Sequence, residues 1–256
     1  MAEADERDSE AATQGDFLWE RPVHPPRAGG PGLTRGAITA AAVALADEHG
    51  PDEVTMRKVA KAVGSGTMSL YRHVRTKEEL LDLMADAVVG EGGGAPVSGV
   101  GWRSALREMA RRERAVYLRH PWAPRVLAGR PLIGPNALAA TERWFEALDG
   151  HGVIARDALR VVGTVTSFVR GFAQTEIDEA AWRHPGADGA GWRASALPYL
   201  RRVLDGGRYP RFAATVEAAP SHPDRDEDFA WQLERVLDGL ATTVEGGGCE
   251  ASRPGA

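Results

Sequence analysis

The chain has 256 residues and carries 31 basic against 36 acidic side chains, a formal net charge of −5; this average lends no support to a nucleic-acid binder, which ordinarily declares itself by a basic excess. Its single cysteine, Cys249, excludes an internal disulfide and any Cys-based metal site. No run of eighteen apolar residues occurs and the first residues are acidic, so neither a membrane span nor a signal peptide is expected, and a soluble cytoplasmic protein is.

Residues 1–32 hold seven acids, three arginines and a Pro/Gly-rich end, with Phe17, Leu18 and Trp19 as their apolar cluster; they read as a disordered extension. A first helix is predicted over Thr34 to His49, where Ile38, Ala41, Ala42 and Leu45 recur at helical spacing and Gly50 ends the run. A second, short helix follows from Thr55 to Val63, with Met56, Val59, Ala60 and Val63 on one side and Arg57, Lys58 and Lys61 on the other. Gly64 breaks it. A third helix is predicted from Gly66 to Val74, with Leu70 and Val74 inward and Thr67, Met68, Ser69, Tyr71, Arg72 and His73 partly free. Thr76 and Glu79 form a capping box, in which each side chain satisfies the other's free backbone donor. The fourth helix starts there and carries Leu80, Leu83, Met84, Ala87 and Val88 to a Gly-rich joint at Gly90 to Gly94.

Beyond the joint the pattern stays helical: Trp102 to His120, Trp122 to Ala128, Pro135 to Asp149, and a long segment from Ala155 to Trp182 with a wide apolar face. A loop is expected over His184 to Gly191. Trp192 to Leu204 and Pro210 to Glu217 read as short helices, with Pro198 standing against the first. After a polar loop at Ala219 to Asp224, a last helix carries Phe229, Leu233, Val236, Leu237, Leu240 and Val244. The fold class is therefore all-α, a helix-turn-helix head followed by a helical-bundle body, with 33–90 as the head, 98–246 as the body and 247–256 as a disordered tail.

Function shows first in how charge is distributed. All three lysines, Lys58, Lys61 and Lys77, fall between Val54 and Lys77 together with Arg57, Arg72 and Arg75, and that stretch contains no acid. Such a patch can face phosphates, although a solvated basic face reads the same way. Two short helices about a glycine turn, the second bearing Thr67, Ser69 and Tyr71, also suit a major groove about 12 Å wide. Short amphipathic helices occur in any helical protein, so spacing leaves both readings open.

The run VTMRKVAKAVGSGTMSLYRHVRTKEELLDLMAD closely resembles the DNA-binding head of the tetracycline-repressor (TetR) family. Thr55, Arg57, Ala60, Gly64, Leu70, Tyr71, His73, Val74, Lys77 and Leu80 stand at that family's pattern positions, over about Leu33 to Val89. Ser65 replaces the usual apolar residue after the turn glycine, and Gly66 a bulkier one. The resemblance implies double-stranded operator DNA as partner, with phosphate contacts from Thr55, Tyr71 and Lys77. It implies base contacts from Thr67, Met68 and Ser69 and from His73 or Arg57, with Gly66 and Arg72 completing the surface.

HPWAPRVLAGRPLIGPNALAATERWFEAL and VRGFAQTEIDEA resemble the family's regulatory domain, which implies a homodimer and a small effector, apolar or aromatic given seven tryptophans. The expected pocket lining is Trp102, His120, Trp122, Asn136, Trp144, Thr164, Phe168 and Phe172. His120 and His151 lie in no metal-binding spacing and read as surface histidines; no metal, cofactor or membrane partner is expected. The function implied is a ligand-responsive repressor acting on a pseudo-palindromic operator. A constitutive DNA-binding regulator and an all-helical enzyme stay open as alternatives, although no nucleophile elbow, phosphate loop or zinc motif is present.

Overall fold

The computed structural model describes residues 17–22, 33–94, 101–129, 131–183, 189–218 and 224–246. The remainder of the expected extension, the tail at 247–256 and the expected loops at 184–188 and 219–223 lie outside these residues. Eleven α-helices and no strand occur among the described residues. They group into two compact units, residues 1–149 and 150–256.

In the first unit, α1 (Arg35–His49) starts where Thr34 accepts the Ala37 N–H at 3.1 Å and stops at Gly50, whose φ of +86° only glycine adopts without strain. Its buried residues are Ile38, Thr39, Ala42 and Ala46, and the expected Ala41 and Leu45 are half-buried at their flank. A short 3-10 turn, Pro51–Glu53, leads to α2 (Met56–Ala62) and α3 (Thr67–Tyr71). α3 is shorter than the expected Gly66 to Val74, because Gly66 is its N-cap and the backbone turns after Tyr71. α4 (Lys77–Glu91) buries Leu80, Leu83, Met84, Ala85, Asp86 and Val88, more than one stripe, because it packs on α1, α5 (Trp102–Arg119), α6 (Ala123–Leu127) and α7 (Pro135–Glu146). The expected joint near Gly90 thus falls inside this compact unit.

Asp86 accounts for much of that docking. Its carboxylate accepts the backbone N–H of Ala137 at 2.9 Å and the Asn136 side-chain amide at 3.0 Å, serving from another helix as the cap of α7. Gly134, just before α7, permits the approach, since a Cβ there would collide with the Asp86 carboxylate and the Trp19 ring.

The expected disorder over 1–32 does not hold for residues 17–22. Leu18 is 4% exposed, Arg21 pairs with Glu79, and Arg35 donates to the Leu18 carbonyl at 3.2 Å. Leu18 and Trp19 find apolar cover and Arg21 a partner for its charge, and these anchors outweigh the polar composition around them.

The second unit consists of α8 (Ala155–Arg183), α9 (Gly189–Asp205), α10 (Pro210–Ala218) and α11 (Arg225–Gly246), with α8 packed on α9 and α11. Phe168 and Phe172 of α8 close on Phe229 of α11 at 5.6 and 5.2 Å between centroids, and Arg225 pairs with Glu179. α9 begins at Gly189, inside the expected loop, and runs unbroken through Pro198; proline removes one ladder hydrogen bond there without ending the helix.

Candidate nucleic-acid interface and effector pocket

α2 and α3 hold their orientation through a closed core beneath them. Thr55 caps α2 by accepting the Lys58 N–H at 3.3 Å, and Val54, Val59, Leu70 and Val74 are fully buried. Gly64, at φ +63°, makes the turn, and Ser65 N–H reaches back to the Ala60 carbonyl at 2.9 Å. Ser65 thereby joins the turn by its backbone, so the apolar residue that the resemblance leads one to expect is not needed for closure.

With Leu70 pinned inward, the other side of α3 faces solvent. Met68 is 79% and Tyr71 41% exposed, Gly66 and Arg72 are exposed, and Thr67, Ser69 and His73 are half-buried. Arg72 donates to the Ser69 hydroxyl at 3.1 Å, which holds the guanidinium along the helix. Thr55 and Arg57 are exposed at the start of α2, and Lys77 is half-buried at the start of α4. All ten residues expected to meet DNA therefore reach the surface of the same helical hairpin and its flank.

Two electrostatic details differ from the expectation. Lys58 is engaged by Glu53, which lies just outside the acid-free stretch; the Lys58 hydrogen bond, then its charge, hold the Glu53 carboxyl below the usual carboxylate range. The capping box is also offset. Glu79 N–H donates to Thr76 at 3.1 Å, but the Glu79 carboxylate accepts from the N–H of Arg75 at 2.8 Å, not of Thr76. The box ties the turn behind α3 to α4 one residue earlier than the motif implies.

The eight expected pocket residues separate. His120 and Asn136 border a cavity of about 620 Å³ in the first unit, together with Thr39, Val43, Asp47, Asp86 and Glu91. His120 is not the surface histidine expected: it is 4% exposed, with Nδ1 2.8 Å from Asp47 and Nε2 3.0 Å from Glu91. Trp122 donates to the same Asp47 oxygen at 2.7 Å. The spacing of these groups along the chain, dozens of residues apart, carried no signal of the cluster.

Trp102, Trp122 and Trp144 are buried core side chains. In the second unit Phe168 and Phe172 border a smaller cavity of about 380 Å³ with Ser167, Thr175, Glu176, Arg225 and Gln232. Thr164 is exposed, its hydroxyl donating to the Arg160 carbonyl. Among the described residues no group of three or more His, Cys, Asp or Glu side chains could hold a metal ion, and no helix is long and apolar enough to cross a membrane.

This architecture has close parallels. The model described as bacterial regulatory proteins, tetR family, matches residues 38–84, and that of the tetracyclin repressor-like C-terminal domain matches residues 95–244. The chain is 38% identical to the HTH-type transcriptional repressor DrrR1 of Streptomyces coeruleorubidus, over 90% of this chain and 85% of that one. It is 30% identical to the tetracycline repressor class A from transposon 1721 of Escherichia coli, over 82% and 91% respectively. ActR of Streptomyces coelicolor, solved in complex with actinorhodin, superposes with a TM-score of 0.69 at 28% identity, covering 84% of this chain and 98% of that one.

Proposed function

Because the chain belongs to the TetR family of bacterial transcriptional regulators, we propose that it is a repressor that binds a pseudo-palindromic operator as a homodimer and leaves it when a small molecule binds. The observation that carries this reading is α3, a one-turn helix sealed to the core by Leu70 while Met68 and Tyr71 stand in solvent. A helix so held can enter a major groove without its own fold having to yield.

We assign DNA binding to 33–90, with Thr55, Tyr71 and Lys77 on phosphates and Thr67, Met68 and Ser69 toward base edges; Arg57 and His73 are placed to serve either. Effector binding and dimerisation are assigned to 98–246. The similarity to ActR, solved in complex with actinorhodin, supports a small-molecule effector for this chain. Release of DNA requires that the effector bind the competent and incompetent states with different affinity. Membership in a family of regulators favours this reading over catalysis.

The test uses a duplex selected by the wild-type chain from a random pool. Arg57→Ala and Tyr71→Ala are each expected to weaken binding by roughly tenfold in a salt titration while leaving the oligomer unchanged. Wild-type affinity in both variants would remove α2 and α3 from the interface.

A further inference from the structure

We infer that residues 17–22 form a positioning arm for DNA binding, in which Arg21 compensates the Glu79 carboxylate that anchors the turn behind α3. This deepens the DNA-binding reading and rests on it.

The arm is a built element. The Glu20 and Arg21 N–H groups both return to the Phe17 carbonyl, at 3.1 and 3.2 Å, which folds the segment into a turn. Leu18 is buried, its carbonyl takes the Arg35 guanidinium of α1, and the Trp19 ring lies against Gly134 before α7. Arg21 is 9% exposed and its Nη2 stands 2.5 Å from Glu79 Oε1 in α4. Six residues thus touch α1, α4 and the approach to α7.

Glu79 is where the arm meets the interface. One carboxylate oxygen holds the Arg75 N–H and the other faces Arg21. Two residues before it, Lys77 opens α4, where its ammonium group and the helix dipole favour an approaching phosphate. A bare, largely buried carboxylate at this place opposes that approach and is costly in itself. The Arg21 charge offsets both penalties, although its buried Nε and Nη2 take no hydrogen bond, and Arg35, second in line, does not reach Glu79 by any hydrogen bond among the described contacts. Burial and the neighbouring Arg21 lower the Arg35 pKa, and Glu79 works against them, as befits one carboxylate shared by two guanidinium groups.

The experiment measures affinity for the selected duplex in full-length wild type, Arg21→Ala, Arg21→Lys and Arg21→Ala/Glu79→Gln, with circular dichroism and thermal melting alongside. Arg21→Ala is expected to lose about tenfold in affinity, Arg21→Lys to lose less, and the double variant to regain most of the loss, because the unpaired charge has gone. A loss of equal size in the single and double variants makes the arm a mere brace and overturns the inference, as does an Arg21→Ala variant that binds like wild type. If Arg21→Ala fails to fold, Arg21→Gln/Glu79→Gln decides: affinity within about twofold of wild type supports the inference and a tenfold loss overturns it. A wild-type chain that selects no duplex defeats the DNA-binding reading itself, an outcome distinct from all of these.

Discussion

In residues 33–94, Ile38, Val54, Val59, Leu70, Val74 and Leu80 are wholly buried, and the large apolar side chains left substantially in solvent are Met68 and Tyr71, both on α3. In residues 150–256, by contrast, Ile154, Leu159, Leu197, Tyr199, Phe212 and Trp231 each keep half or more of their surface exposed. The first region closes its core with small helices and spares two side chains for an outside task. The second has one well-sealed row, Val161, Val165, Val169, Phe229, Leu233 and Leu237, and a large apolar remainder without cover. Uncovered apolar area of that extent is the kind that a partner covers, and we propose that a second copy of the chain meets it along α8 and α11.

The most damaging way to test this contrast is to open the closed region. Leu70→Ala is expected to destabilise the fold by about 2–5 kcal/mol, because Leu70 is fully buried and its truncation removes apolar burial and leaves a cavity. Met68→Ala, two residues away on the same helix, should stay within about 0.5 kcal/mol of wild type, since Met68 is 79% exposed. Urea titrations of both variants check the pair; equal midpoints would show that α3 is not pinned as described.

The open region is tested next by charging it. Leu159→Asp/Trp231→Asp changes two exposed side chains, so the subunit should remain folded, while light scattering should report a monomer. Operator affinity should then fall by roughly a hundredfold or more, because two tethered heads gain from each other's binding and one head cannot. A variant that keeps the mass of a dimer would place the subunit contact elsewhere.

The same contrast explains what could be read from the residues. α1, α2 and the start of α4 were legible because their boundaries have local causes, Thr34, Thr55 and Thr76 as caps and Gly50 and Gly64 at positive φ, whereas no such cue marks the end of α3 after Tyr71. The exposure of Met68 and Tyr71 followed from Leu70 facing inward. What was hidden depends on contacts far apart in sequence. Asp86 carries no signal in its own stretch, since its partners on α7 lie 50 positions later, and His120 reads as a surface histidine until Asp47 and Glu91 close on it. Leu18 and Trp19 sit in a polar, proline-rich stretch, so composition concealed their docking, while Phe17 beside them stays 46% exposed. Aromatic character alone does not separate pocket from core, and Trp102, Trp122 and Trp144 of the expected lining are core.

The smallest expected effect concerns the polar seam of the first unit. Glu91 accepts from His120 at 3.0 Å and from Arg119 at 2.5 Å, while Asp47 holds the other imidazole nitrogen and the Trp122 N–H. Partial burial works to raise the Glu91 carboxyl pKa, but the His120 and Arg119 hydrogen bonds and charges prevail and hold it below the ordinary 4.5. A carboxylate with a depressed folded-state pKa stabilises the fold above its unfolded value and loses that contribution as pH falls through the folded one. Wild type should therefore exceed Glu91→Gln in urea midpoint at pH 7, and the gap should narrow below about pH 4.5 and close in stronger acid. The gap should be small, because the Glu91 side chain is 39% exposed and solvent screens the pair. Parallel pH profiles for the two proteins would mean that the seam is held by Asp47 and Trp122 alone, with Glu91 a bystander at the end of α4.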